Sequence, residues 1–359
     1  MIRSMLLCLL VFAPAVAQAA PSISSTSGTI SHGGSITITG TAFGSKGGTN
    51  ANKPLIWADF ESSINPTSLG HLTTWDGNDN LSRNVGGTQY GLSAANAIGT
   101  RATGVNAFGF VVNHTMTKLY LTGKRRYTSV SSSNMKIFRL WNDAPSSILA
   151  TNLTGGTIYD ESCDQANRFQ GTDPTANIWQ IEEFVWSKST ANSGGSPQTG
   201  NGWWQYFVNG SKYQEHAGTL CSNLSANYGQ GLGLQVIDTF DTNGELPNGT
   251  NIYFDDLYVD NTWARVIIGN ASTLAASTTR EVQIPSAWAD TSITVTVNRG
   301  NFASNGSAYL YVVDANNTVN ATGYSITFGA GGGGGGSTPK GGMDVQRHNN
   351  NTKPTFVKR

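Results

Sequence analysis

Charge is scarce in this chain. Asp, Glu, Lys and Arg make up only 12% of its 359 residues, and the formal net charge is zero. The few cations are unevenly placed. Lys340, Arg347, Lys353, Lys358 and Arg359 crowd the C-terminal tail against Asp344 alone. Without that tail and Arg3, 16 basic and 21 acidic residues remain. A mildly acidic body has no electrostatic footprint for nucleic acid, so no nucleic-acid partner is expected.

Cysteine is nearly absent too. There are three, and Cys8 lies in the N-terminal apolar segment. That leaves Cys163 and Cys221, which cannot by themselves build a zinc site. In an oxidising compartment an even pair predicts a disulfide. It would enclose 57 residues and contribute roughly 4 kcal/mol by chain entropy. Long apolar runs are missing beyond the N-terminus, so no membrane span is expected. Phosphate-cradling Gly-x-x-x-x-Gly-Lys phrases are missing, so nucleotide binding has no support. Heptads, solenoid repeats and long helical periodicity are missing as well.

What is present begins with an address. Arg3, the apolar run 6–12 and Ala17-Gln18-Ala19 read as a secretory signal over residues 1–19. The mature chain is therefore expected to be secreted or held at the cell surface. Gly, Ser, Thr and Asn are abundant, a bias towards strands and turns. Short β-branched or alternating runs recur at 35–39, 117–122, 136–141, 179–186, 203–208, 232–237, 252–259, 293–297, 308–313 and 324–328. Many short strands with frequent turn signals predict an all-β chain of sandwiches or barrels. In 36–39 and 293–297 the period is two, so each strand should have one buried and one wet face.

Residues 21–44 read PSISSTSGTISHGGSITITGTAFG. They resemble the opening of an IPT/TIG domain, a small immunoglobulin-like sandwich. ARVIIGN, IPSAWADTSITVTVN, AYLYVVDANN and TGYSITFG, within 264–329, resemble its closing strands. The first piece offers about two strands and cannot bury a core alone, while the second offers about four or five but lacks a conventional start. Together they have the size of a seven-strand immunoglobulin-like sandwich. The resemblance implies one sandwich split by an insertion, with its first part at 20–54 and its second at 263–329. Insertion is topologically easy because the ends of a domain often lie close together.

The inserted stretch, 55–262, resembles a concanavalin A-like jelly roll of the laminin G-like and polysaccharide-lyase-like group. Five phrases carry this: LIWADFES at 55–62, KIFRLW at 136–141, WQIEEFVW at 179–186, and WWQYFVNGSK with IYFDDLYVDN at 203–212 and 252–261. Asn209-Gly210 is also a type I′ hairpin signal in its own right. The expected fold class is thus a jelly-roll sandwich inserted into an immunoglobulin-like β-sandwich. Residues 330–359 read as a Gly-rich linker and a polar, basic tail whose composition predicts disorder.

Alternation sorts candidate ligand-binding residues. One face of 179–186 carries Gln180, Glu182, Phe184 and Trp186. Arg139 on 136–141, with Trp204 and Tyr206 on 203–208, offers further rings and charge. Rings that pack on pyranose C–H faces, with amides and charges for the hydroxyls, suit a glycan. The same residues also suit an aromatic core with a structural Arg–Glu pair. Catalytic signals are weak. Retaining glycosidases need two carboxylates on one face, whereas adjacent Glu182 and Glu183 point to opposite faces. No Gln-Ile-His or Tyr-Phe-Lys-Ala-Gly phrase of the alginate lyases occurs. His114 and His216 stand alone in loop-like contexts. Asp256 and Asp260 share a face and raise the possibility of structural calcium. The expectation is a non-catalytic surface protein that binds an extracellular glycan. A polysaccharide lyase or glycoside hydrolase, and a structural surface or appendage subunit, are the alternatives.

Overall fold

The structure, a computed structural model, describes residues 19–48, 50–58, 90–93, 107–112, 117–127, 136–141, 147–152, 158–160, 167–169, 175–187, 201–218, 232–238, 251–329 and 331–332. No helix occurs among them. In chain order the strands are β1 (Ser22–Thr29), β2 (Ser35–Thr41), β3 (Ile56–Ala58), β4 (Tyr90–Ser93), β5 (Ala107–Val112), β6 (Lys118–Tyr127) and β7 (Lys136–Trp141). They continue with β8 (Ser147–Asn152), β9 (Ile158–Asp160), β10 (Asn167–Phe169), β11 (Gln180–Ser187), β12 (Gly202–Val208), β13 (Ser211–Gly218) and β14 (Leu232–Asp238). The last are β15 (Asn251–Asp260), β16 (Arg265–Gly269), β17 (Arg280–Ala289), β18 (Ser292–Thr296), β19 (Ser307–Val313), β20 (Tyr324–Thr327) and β21 (Gly331–Gly332). The pairings among them are antiparallel.

The chain's two ends build one unit. Its strand order is β20-β19-β16-β17-β18-β2-β1-β21. Strand β2 pairs with β18, Ile38 opposite Ile293, although more than 250 residues separate them. Strand β17 pairs with β16 through its first half and with β18 through its second. The partner changes between Gln283 and Ile284, and a register shift between Pro285 and Ala287 follows it. Pro285 has no N–H to give a ladder, so a bulge suits it. Ile36, Ile38, Ile293 and Val295 meet Val266, Ile268, Leu310 and Val312 in one core. The period-two pattern explains this: β2 and β18 bury the isoleucines and valine and leave their hydroxyl residues towards solvent.

The inserted strands form two further sheets. One runs β10-β9-β8-β7-β14-β5, the other β13-β12-β11-β6-β15-β3, with β4 also on β15. The chain is thus a jelly-roll sandwich set into an immunoglobulin-like one. Asn209 and Gly210 turn β12 into β13 with φ of 48° and 73°, the two positive angles a type I′ turn requires. The glycine run departs from expectation at its start. Gly331 and Gly332 pair with Thr29 and Gly28 and extend the sheet by a short edge strand. Extended backbone is open to glycine, and two residues suffice to pair with an open edge. Cys163, Cys221, His114 and the tail beyond Gly332 lie outside the described residues.

Candidate functional site

Strand β11, QIEEFVWS, lies between β6 and β12 at the middle of its sheet. Glu182 and Glu183 point to opposite faces, as alternation requires. Both are buried, at 2% and 3% exposure. Ligand binding by Gln180, Glu182 and Trp186 needs one face of this strand open. In the structure both faces are covered.

The Glu182 face is aromatic and polar. Opposite Gln180 on β6 stands Arg125, opposite Phe184 on β12 stands Tyr206, and opposite Trp186 stands Trp204. Beyond them β13 contributes Gln214 and His216. The Arg125 guanidinium pairs with the Glu182 carboxylate. Burial pushes the Glu182 carboxyl above its usual range, while Arg125 and a hydrogen bond from Tyr206 pull it back. Trp186 and Trp204 are 1% and 0% exposed. The tilted Trp204 and Phe184 rings lie 6.3 Å apart. This corrects the expected sugar platform: the Trp186 ring is core, because the sheet is covered on this side.

Five of the six predicted ligand-binding residues, Gln180, Glu182, Trp186, Trp204 and Tyr206, do lie in one sheet, but buried. Arg139 does not join them. It sits on β7 in the other sheet, opposite Gln235 and Ala150. The cation beside Glu182 is Arg125, which the sequence reading missed. The signal was available, since in the run Lys124-Arg125-Arg126 alternation sends the middle residue to the opposite face from its neighbours.

The Glu183 face meets the other sandwich. Arg280 of β17 donates from Nη1 to Glu183 Oε2 at 2.7 Å, and the Tyr120 hydroxyl donates to Oε1 at 2.9 Å. Arg280 also donates to the carbonyls of Ser277 and Leu274. Lys124 bridges Asp256 at 2.6 Å and Glu281 at 3.0 Å. Lys46 pairs with Asp260, both side chains at 0% exposure. Around these charges pack Tyr120, Val185, Tyr258, Trp263 and Val282.

Asp256 and Asp260, the two candidate calcium ligands, are paired with lysines instead, Asp256 with Lys124 and Asp260 with Lys46. No group of three His, Cys, Asp or Glu that could hold a metal occurs among the described residues.

An accessible cavity does exist, displaced from the predicted face to the β12–β13 edge. Its volume is about 600 Å³, and Trp203, Trp204, Gln205, Glu215, His216 and Asn317 are in its wall. Trp203 is half-buried and its ring tilts against Trp263, 4.8 Å centroid to centroid. Gln205 donates to Glu215 at 3.2 Å and Lys212 pairs with Glu215 at 2.8 Å. Hydrogen bonds from Lys212 and then Gln205 hold the exposed Glu215 carboxyl below its ordinary value. His216 lies on a strand, not in a loop, with its ring 6.2 Å from that of Trp204. The hairpin turn, and not any apolar period of its own, folds this polar strand back into the wall.

No family model matches the chain, and no curated protein matches it. Solved structures do. An alginate lyase from Aplysia kurodai is 12% identical, with 58% of this chain and 97% of that one covered, at a TM-score of 0.40. An alginate lyase from Corynebacterium is 13% identical, covering 58% and 91%, at 0.33. A Trypanosoma rangeli sialidase is 9% identical, covering 44% and 25%, at 0.29. Each is a partial likeness of sheet arrangement, and no activity is assigned from it.

Proposed function

We propose that this chain is an exported surface protein that binds an extracellular polysaccharide in the cavity on the β12–β13 hairpin. The observation that carries the reading is the cavity wall. An indole (Trp203), two amides (Gln205 and Asn317) and a carboxylate (Glu215) share one space of about 600 Å³, with His216 turned to the Trp204 side of the hairpin. That volume lies within the range of small-ligand sites. Rings that take pyranose C–H faces beside planar polar groups that take hydroxyls suit a sugar chain. Within the same proposal, the N-terminal segment exports the chain, Cys163 and Cys221 are joined, and the eight-stranded unit is an IPT/TIG-like mount.

The test is binding of neutral and uronate polysaccharides by affinity electrophoresis and calorimetry. Gln205→Ala and Glu215→Ala should each weaken binding at least tenfold, about 1.4 kcal/mol. The fold should persist, since an exposed pair such as Lys212–Glu215 contributes only about 0–1 kcal/mol. Unchanged affinity in both variants would remove the cavity from the proposal.

A lyase reading draws on one buried constellation and requires that this covered face open to the substrate. Arg125, Glu182 and Tyr206 form a cation, a carboxyl of raised pKa and a phenol on one sheet face. In a lyase Arg125 would neutralise a uronate carboxylate and a neighbouring base would take the C5 proton. Elimination at C4 would then leave a conjugated double bond. Growth of its ultraviolet absorbance, lost in Arg125→Ala, would favour the lyase over binding alone. Burial of Trp186 and Glu182 favours the structural-subunit reading, which predicts neither binding nor turnover.

A further inference from the structure

Lys46 follows the first strand pair of the immunoglobulin-like unit, and Asp260 closes the last strand of the inserted one. The two residues are 214 positions apart, yet the Lys46 Nζ and an Asp260 carboxylate oxygen are in contact. Both side chains are fully removed from solvent. Several contacts fix the approach. Thr262 Oγ1 donates to the Lys46 carbonyl at 2.6 Å. Lys46 Nζ donates to the Asn50 carbonyl at 3.2 Å. Gly48, at φ +76°, lets the loop come close, since a Cβ there would stand 2.6 Å from Asn261 Oδ1. The Asp260 carboxyl is likewise held at both oxygens. The Asn261 N–H donates to Oδ1 at 3.0 Å, and the Tyr258 hydroxyl donates to Oδ2 at 3.3 Å.

We propose that Lys46 and Asp260 condense into an isopeptide bond that staples the neck of the inserted sandwich. The Lys46 Nζ lone pair attacks Asp260 Cγ. Developing negative charge on Oδ1 is met by the Asn261 N–H, a donor already aimed at that oxygen. The Cγ–Oδ2 bond then breaks, and the oxygen leaves as water with protons from the amine and the acid. Tyr258, hydrogen-bonded to Oδ2, relays a proton and recovers it. One amine and one acid give one amide and one water, so no oxidant or activated donor is needed.

An ammonium facing a carboxylate is inert, but this site disfavours both charges. Burial lowers the Lys46 amine and raises the Asp260 carboxyl to about 6, each against the pull of the other. Neutral amine beside neutral acid is the reactive combination. Fixed contact supplies the orientation that dissolved reactants lack. The bond would close a loop containing the whole jelly roll. Tension between the two ends of the chain would then bypass that sandwich.

Mass spectrometry of the full chain tests this. The intact mass should be one water below that calculated from the sequence and its observed N-terminus. Trypsin should fail to cut after Lys46, and one branched peptide should contain Lys46 and Asp260. Lys46→Arg should restore the missing water while far-ultraviolet circular dichroism keeps its strand signature. A full mass with cleavage after Lys46 overturns the proposal. So does a dehydrated but linear peptide around Asp260, which would mark a cyclic imide. A missing water that persists in Lys46→Arg overturns it as well.

Discussion

The two faces of the seven-stranded sheet carry similar groups in different arrangements. On the Glu182 face the buried pair, Arg125–Glu182, joins two neighbouring strands of one sheet. On the Glu183 face the pairs Glu183–Arg280 and Lys124–Glu281 join that sheet to β17 of the other sandwich. The first fixes a polar patch among aromatic rings. The second welds two units, with Arg280 and Lys124 donating across the boundary to Glu183 and Glu281. A buried charge therefore does not mark a ligand site on its own account. What its partners belong to decides between the two roles.

Breaking the weld should give the largest effect. Glu183→Ala leaves the Arg280 guanidinium buried without its carboxylate and removes the acceptor of the Tyr120 hydroxyl. Removing one partner of a buried pair costs about 3–5 kcal/mol. Urea unfolding should show that loss. Pairing Glu183→Leu with Arg280→Met should recover most of it, because apolar groups of similar volume do not need a counter-ion. If Glu183→Ala unfolds at the wild-type midpoint, the weld is not a structural contact.

On the other face, Trp186→Ala should destabilise by a similar or slightly smaller amount, about 3–5 kcal/mol for a large ring deleted from a core. The ring is 1% exposed. A wild-type midpoint together with lost glycan binding would reverse the comparison and restore Trp186 as an exposed platform.

Legibility followed the range of the interactions. Strands β2 and β18 were readable because Ile-Thr-Ile and Ile-Thr-Val set one face in oil and one in water, and the burial agrees. Asn209-Gly210 was readable because its backbone demand is local. Strand β13, SKYQEHAG, was not, since its polar residues have no period and it forms only by pairing back onto β12. For β11, alternation separated Glu182 from Glu183 correctly. It could not tell that a second sandwich presses Arg280 and Val282 onto the Glu183 side. Nor could any window reveal that Asp260 faces Lys46 across 214 positions. The cavity was half-legible: Trp204 is a predicted ligand-binding residue, while Trp203, Gln205 and Glu215 become a wall only through the hairpin.

The smallest effect sharpens the comparison through pH. Burial raises the Glu182 carboxyl above its ordinary value of 4.5, with Arg125 and Tyr206 opposing. A carboxyl raised in the folded state holds its proton where the unfolded chain has released it. The native form then binds more protons than the unfolded one, so stability falls as pH rises. The fall begins near 4.5, the unfolded value, and levels off above the folded one. Glu182→Gln stays neutral throughout and should lack this component. Glu281, on the opposite face, is raised by burial too, with Lys124 opposing. Its share of the slope should therefore persist in Glu182→Gln. Urea midpoints measured across the acid range should thus give a shallower decline for Glu182→Gln than for wild type. Identical slopes would mean that Arg125 and Tyr206 fully offset the burial of Glu182, and the two faces would then differ in titration as well as in partners.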